Sequence, residues 1–282
     1  MINPDQNFLI VKARFFQSSP EFLQARWRWH ALMVCHLLTL LVLALWWWPP
    51  SRQWLDMLDM QVFHGLNTPL ATQPLAAKFW AIASMRLADA LAAVLMFFCI
   101  VKSGWIFSAA QVRRALFAFL VVLALLLLIR VGPFAALVRL LHWQHSGPSL
   151  VVPGAVMLSD LFPSWHAAWE IKDSSVRSFP GDHASVLLLW ALFLWPFARW
   201  GQRLFIVALC LAFMLPRLVA GAHWAVDILI GGTAVSLLAY GWGCCTPFAA
   251  KAADLLERLT APLLRPLARL PGLRRIALIS GR

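Results

Sequence analysis

Residues 178–227 decide how this chain is read. The segment opens Ser178-Phe179-Pro180-Gly181-Asp182-His183 and closes Arg217-Leu218-Val219-Ala220-Gly221-Ala222-His223-Trp224-Ala225-Val226-Asp227. Between those ends lie two apolar runs, residues 187–198 and 204–215, parted by Arg199 and Arg203. Two such runs joined by a short basic turn predict a helical hairpin, which returns the chain to the side it left. The polar ends, carrying two histidines, an arginine and two aspartates, are therefore expected to meet on one face. Ionisable groups beside membrane spans are costly, so a cluster of them marks a functional site.

The rest of the composition sets the surroundings of that cluster. Of 282 residues, 61% are hydrophobic and 13% charged, with a mean hydropathy of +0.74. A soluble domain carries about twice that charge, so the class expected is an integral membrane protein. Sixteen tryptophans against one tyrosine suit anchoring at membrane interfaces, as in Trp46-Trp47-Trp48. The net charge of +12 lies in the termini and short loops rather than along a groove, which argues against a nucleic-acid partner. Cys35, Cys99, Cys210, Cys244 and Cys245 all fall in apolar segments without metal-ligand spacing and read as small hydrophobes.

Six spans follow from the apolar runs, at residues 31–48, 87–101, 115–138, 187–198, 204–215 and 224–242. Residues 1–30 form a basic segment with no cleavable signal pattern, so the first span is expected to act as an uncleaved insertion signal. Residues 51–86 read as a loop with short interfacial helices. Arg86 and Asp89 are placed for a structural ion pair on one helical face. Arg130 and Pro133 interrupt the third span, where a kink is expected and Arg130 turns inward or snorkels. Residues 139–182 are too long and polar for a simple connection, which marks them as functional. Gly231-Gly232 suits close helix packing. Residues 246–282 read as a basic amphipathic tail on the membrane surface.

Orientation comes from the distribution of Lys and Arg. Sixteen lie in the N-terminal segment, the 102–114 connection, the Arg199/Arg203 turn and the tail; eight lie on the other side. The richer side belongs in the cytoplasm. The expectation is thus an all-α, six-span bundle spanning residues 31–245, both termini cytoplasmic, with its site outside. In a bacterium that is the periplasmic face of the inner membrane.

Four residues separate His223 from Asp227, so on a helix the carboxylate can hold the imidazole in one tautomer. Arg217, at the end of the preceding run, offers a fork suited to phosphate oxygens. His183 opens the next run beside a helix N-terminus, where backbone donors accept an anion. One histidine attacking phosphorus while another protonates the leaving oxygen makes a phosphoryl-transfer mechanism that needs no metal or other cofactor.

The pattern resembles the type 2 phosphatidic acid phosphatase superfamily of integral-membrane lipid phosphatases and phosphotransferases. That family's third motif, Ser-Arg, five residues, His, three residues, Asp, reads here from Pro216-Arg217 through His223 to Asp227. Its second motif, Pro-Ser-Gly-His, reads Pro180-Gly181-Asp182-His183. The resemblance implies that His223 is a nucleophile forming a phosphohistidine, Asp227 its orienter and His183 the general acid. It also implies that Arg217 and the Gly181 backbone bind phosphate.

Two departures stand out. The first motif, Lys, six residues, Arg-Pro, is reduced to Arg139 followed by Ser146-Gly147-Pro148, with His145, Lys172 or Arg177 left to supply the missing charge. Asp182 puts a carboxylate beside the expected phosphate, as in relatives acting on polyprenyl diphosphates. The remaining histidines, His30, His36, His64, His142 and His166, read as polar residues near the interface.

The reading is a membrane lipid phosphatase whose substrate is a lipid phosphate or polyprenyl diphosphate. A phosphotransferase passing the phosphate to lipid A or another lipid is the alternative. An inactive membrane protein of the same fold is a distant third, favoured only by the eroded first motif.

Overall fold

The computed structural model describes residues 23–281. Residues 1–22 and 282, which include Lys12 and Arg14 of the expected N-terminal segment, lie outside it. Helices form at all six expected positions: α1 (Trp29–Trp47), α4 (Arg86–Val101), α5 (Ala109–Leu140), α6 (Asp182–Leu194), α7 (Trp200–Val219) and α8 (Asp227–Cys244). Among the described residues α1, α5, α7 and α8 are long and apolar enough to cross a membrane by themselves. The 13 residues of α6 reach only about 20 Å at ~1.5 Å per residue, short of a ~30 Å hydrocarbon layer.

The interval expected as a loop with short interfacial helices holds two helices, one of them of 19 residues. Pro49 starts α2 (Pro49–Asn67) directly after α1, and Pro74 starts α3 (Pro74–Ala83). Proline is well placed at a first helical turn, because its missing N–H would be unsatisfied there anyway. Trp29–Trp47 has lipid-like residues all round, whereas α2 alternates Leu55, Asp59 and Phe63 inward with polar residues outward.

Helix α8 sits centrally against α1, α5 and α6. Two devices let it do so. Gly231 faces Pro180 so closely that an added Cβ would lie 2.7 Å from the Pro180 Cβ. Ser236 donates from its hydroxyl to the Ser185 carbonyl at 2.8 Å, closing the α8–α6 seam. On the far side of α6, Trp190 donates its indole N–H to the Met96 carbonyl of α4 at 3.2 Å. Each is a polar group satisfied between otherwise apolar helices.

The tail helix α9 (Phe248–Leu267) buries Ala249, Ala250 and Ala253 against α5, where Arg114 pairs with Asp254 at 2.9 Å. Arg113 then donates to the backbone carbonyls of Leu278 and Ile279, folding the end of the chain onto the start of α5. Leu255, Leu259 and Leu263 line its outer face, which matches the amphipathic pattern of the sequence. All five cysteines are free and buried.

Candidate active site

The C-terminal ends of α1, α5 and α7 and the N-terminal ends of α4, α6 and α8 converge on one side of the bundle. Helix α5 has a π-turn there, Arg130–Phe134, where Pro133 cannot donate to the helical ladder. Helix α8 opens with another, Asp227–Gly232. The segment 141–181 is strapped across this end. Asn67 donates to the Val156 and Val219 carbonyls and accepts from the Val156 N–H. Ser178 donates to the His145 carbonyl at 2.9 Å, and the Lys172 N–H to Ser84 at 2.8 Å. Its backbone groups are thus paired with their neighbours rather than left to solvent.

His223 and Asp227 meet as their spacing predicts. The His223 Nδ1 lies 3.0 Å from the Ser178 carbonyl and 3.3 Å from Asp227 Oδ2. That oxygen also accepts the Trp224 N–H at 2.9 Å. Both acceptors face Nδ1, so this nitrogen donates and Nε2 is left for chemistry. The Nε2 points at the Asp182 carboxylate, 3.4 Å away. Burial pushes the His223 imidazole towards its neutral form, but hydrogen bonding and charge from Asp182 and Asp227 overcome it and raise its pKa to about 9.

His183 approaches the same oxygen of Asp182. Its Nδ1 is 3.6 Å from Asp182 Oδ1, and its backbone N–H donates to the same oxygen at 2.8 Å. Arg130 approaches the second oxygen, Asp182 Oδ2, at 3.8 Å. The Asp182 carboxylate is therefore an anion held among His223, His183, Arg130 and the first turn of α6.

The residues expected to bind phosphate make the following contacts. The Gly181 N–H donates to the Asp227 carbonyl at 3.1 Å, so the free helix-start donor facing the anion is that of His183. Arg217 is nearly inaccessible, at 3% exposure, and donates to Asp89 and to the Ser84 and Lys172 carbonyls, the latter two at 3.1 Å. It meets the cluster through Asp89. Arg139 and Arg177 are exposed and form no ion pair with the cluster. Lys172 contributes its carbonyl to Arg217. At Gly147, directly before Pro148, an added Cβ would run into the Ala222 carbonyl.

Three residues make more of the site than their sequence context indicated. His145 reaches Asp227 Oδ1 with Nε2 at 2.9 Å, on the oxygen that His223 does not use. Asp89, expected to pair with Arg86, instead accepts from Arg217 and lies 2.8 Å from His183 Nε2. Arg86 pairs with Glu170 at 2.8 Å. Arg130 turns inward because the π-turn rotates it towards α6. The signal for Asp89 and Arg130 was a single charge inside an apolar run.

From Arg130, Asp182 and His183 an apolar cavity of about 460 Å³ runs down between α4, α5 and α6. Ala93, Met96, Phe97, Leu123 and Leu126 line its length. A single molecule with a phosphate head and a hydrocarbon tail would match both ends of this space. Among the described residues no group of ligands is assembled for a metal ion.

The resemblance drawn from the motifs is borne out: the chain is homologous to a lipid phosphatase of the type 2 phosphatidic acid phosphatase superfamily. That relative is the Lipid A 1-diphosphate synthase of Escherichia coli (strain K12), 28% identical over 210 residues, which cover 73% of this chain and 84% of the relative. No family model and no solved structure matches the chain.

Proposed function

We propose that the chain is a bacterial inner-membrane lipid phosphatase that cleaves a lipid phosphate or diphosphate at the periplasmic face through a phosphohistidine on His223. The observation carrying this reading is the Asp182 carboxylate, gripped between His223 Nε2 and His183 Nδ1 at the head of the apolar cavity. A terminal phosphoryl group in its place would face Nε2 of His223, with the helix N-terminus and Arg130 stabilising its oxygens. The lipid tail would lie between α4 and α5, reached sideways from the bilayer.

Six spans with cytoplasmic termini fit the alternation of helix ends at the site and the sixteen basic residues on the opposite side. Arg130 lines the cavity beside Asp182, 3.8 Å from its carboxylate. A diphosphate would bring its second phosphate past this cation, whereas a monoester would bring only an uncharged oxygen. That favours a lipid diphosphate.

A second reading keeps the first half-reaction and gives the phosphate to a lipid rather than to water. The relative's name, a synthase of a lipid A diphosphate, favours it. Both are tested by incubating purified protein in detergent with a panel of lipid phosphates and diphosphates, with His223→Ala alongside. Free phosphate from the wild type alone supports the phosphatase. Phosphate found only on an added lipid acceptor supports the transferase. Release undiminished in His223→Ala overturns both.

A further inference from the structure

We infer that Asp89 is the positioning residue of the general acid, holding His183 as Asp227 holds His223. The inference rests on the proposed phosphoryl-transfer reading. It adds a residue on α4, outside the two motif segments.

The two histidines approach the same oxygen of Asp182, and each has a second carboxylate on its other ring nitrogen. Behind His223 is Asp227, 3.3 Å from Nδ1; behind His183 is Asp89, 2.8 Å from Nε2. The pairs use opposite ring nitrogens. His223 therefore presents Nε2 to the anion and His183 presents Nδ1.

Asp89 is itself held. Its Oδ1 takes both His183 and Arg217, and its Oδ2 is buried without a hydrogen bond. Arg217 is in turn fixed by the Ser84 and Lys172 carbonyls. The chain of contacts runs from the strap through Arg217 to Asp89 and ends on His183. Thus a buried arginine does its work at second hand, by locking the carboxylate that orients the acid.

The chemistry balances on that arrangement. The lone pair of His223 Nε2 attacks phosphorus, and the bond from phosphorus to the leaving oxygen breaks with its electrons on oxygen. The His183 Nδ1 proton passes to that oxygen, leaving a neutral imidazole whose Nε2–H donates to Asp89. Water then attacks the phosphohistidine and gives its proton back to His183 Nδ1. The phosphorus–nitrogen bond breaks, returning its electrons to His223. With the amide of Asp89→Asn, an oxygen that can accept from Nε2–H remains, but the charged acid loses its counter-charge.

The test is a double-mutant cycle with Asp89→Asn and His183→Ala, measured as phosphate release or transfer from the substrate found for the wild type. Asp89→Asn alone should lower kcat about 10–100-fold with KM little changed, part of the 10²–10⁴-fold typical of general acid catalysis. In the His183→Ala background the same substitution should cost less than about threefold, since its route of action is gone. Asp89→Glu, which keeps the charge, should recover part of the rate. A loss from Asp89→Asn that is as large without His183 as with it would overturn the inference. A wild type no more active than His223→Ala would overturn the functional reading instead, and the inference with it.

Discussion

His145 lies 2.9 Å from the buried Asp227 carboxylate, on the oxygen opposite the one that faces His223. Its other ring nitrogen is 3.0 Å from the Trp143 carbonyl. One carboxylate, fully shielded from solvent, thus serves two imidazoles. Removing the charge of Asp227 should loosen both rings. Asp227→Asn is expected to lower kcat by about 10³–10⁴-fold, as when the carboxylate of a catalytic histidine is lost. His145→Ala, which leaves the His223 contact intact, should cost distinctly less. Steady-state kinetics of the two variants decide the order.

Asp182 sets the pH response. The raised pKa of His223, about 9, keeps its imidazole charged at neutral pH and occupies the nitrogen that must attack. The value of kcat/KM should therefore climb as pH approaches 9. Stability runs the other way. A histidine raised from 6.5 to about 9 contributes fully below pH 6.5, and that contribution is lost as pH rises through 9. Asp182→Asn removes one of the two carboxylates facing His223, so the rising limb should move to lower pH. A limb that stayed in place would show that Asp182 does not govern this titration.

Arg130 and Arg139 separate two ways of reading the same stretch. Arg130 stands 3.8 Å from Asp182 at the head of the cavity, while Arg139 is exposed one and a half turns past the π-turn. Arg130→Ala should raise KM about 10–100-fold, the size of a lost charge-assisted contact of roughly 1.5–3 kcal/mol. Arg139→Ala should leave KM within about twofold. Titrating both variants with the same lipid substrate checks the pair.

The tail cavity gives a selective prediction. Ala93 is small and lines the space between α4 and α5. Ala93→Phe would fill part of it. The KM for a long-chain lipid phosphate should rise while that for a short-chain analogue stays near wild type. An equal change for both would mean the tail lies elsewhere.

Much of this was legible in the residues. The helices form where the apolar runs lie, because burial of such runs dominates local preference. The His223–Asp227 contact follows from a four-residue spacing on one helix face. What could not be read was everything that depends on long-range register. Arg86 was expected to pair with Asp89 three residues on, but Glu170, 84 residues away, takes Arg86 and frees Asp89 for Arg217 and His183. The π-turn at Arg130 was expected as a kink at Pro133, yet its effect, aiming a cation into the site, depends on where α6 packs. Arg217 was expected at the phosphate. Its guanidinium is held by three acceptors, Ser84, Lys172 and Asp89, none of them near it in sequence.

The central claim is that His223 Nε2 becomes covalently phosphorylated. The most direct measurement supplies a lipid diphosphate labelled in its terminal phosphate and quenches the reaction at alkaline pH, where phosphohistidine survives. Mass spectrometry then locates the label. The account predicts a phosphate on His223 in the wild type, accumulating in His183→Ala if loss of the acid–base residue slows its hydrolysis, and absent from His223→Ala. A fully active protein that carries no label on His223 would contradict it.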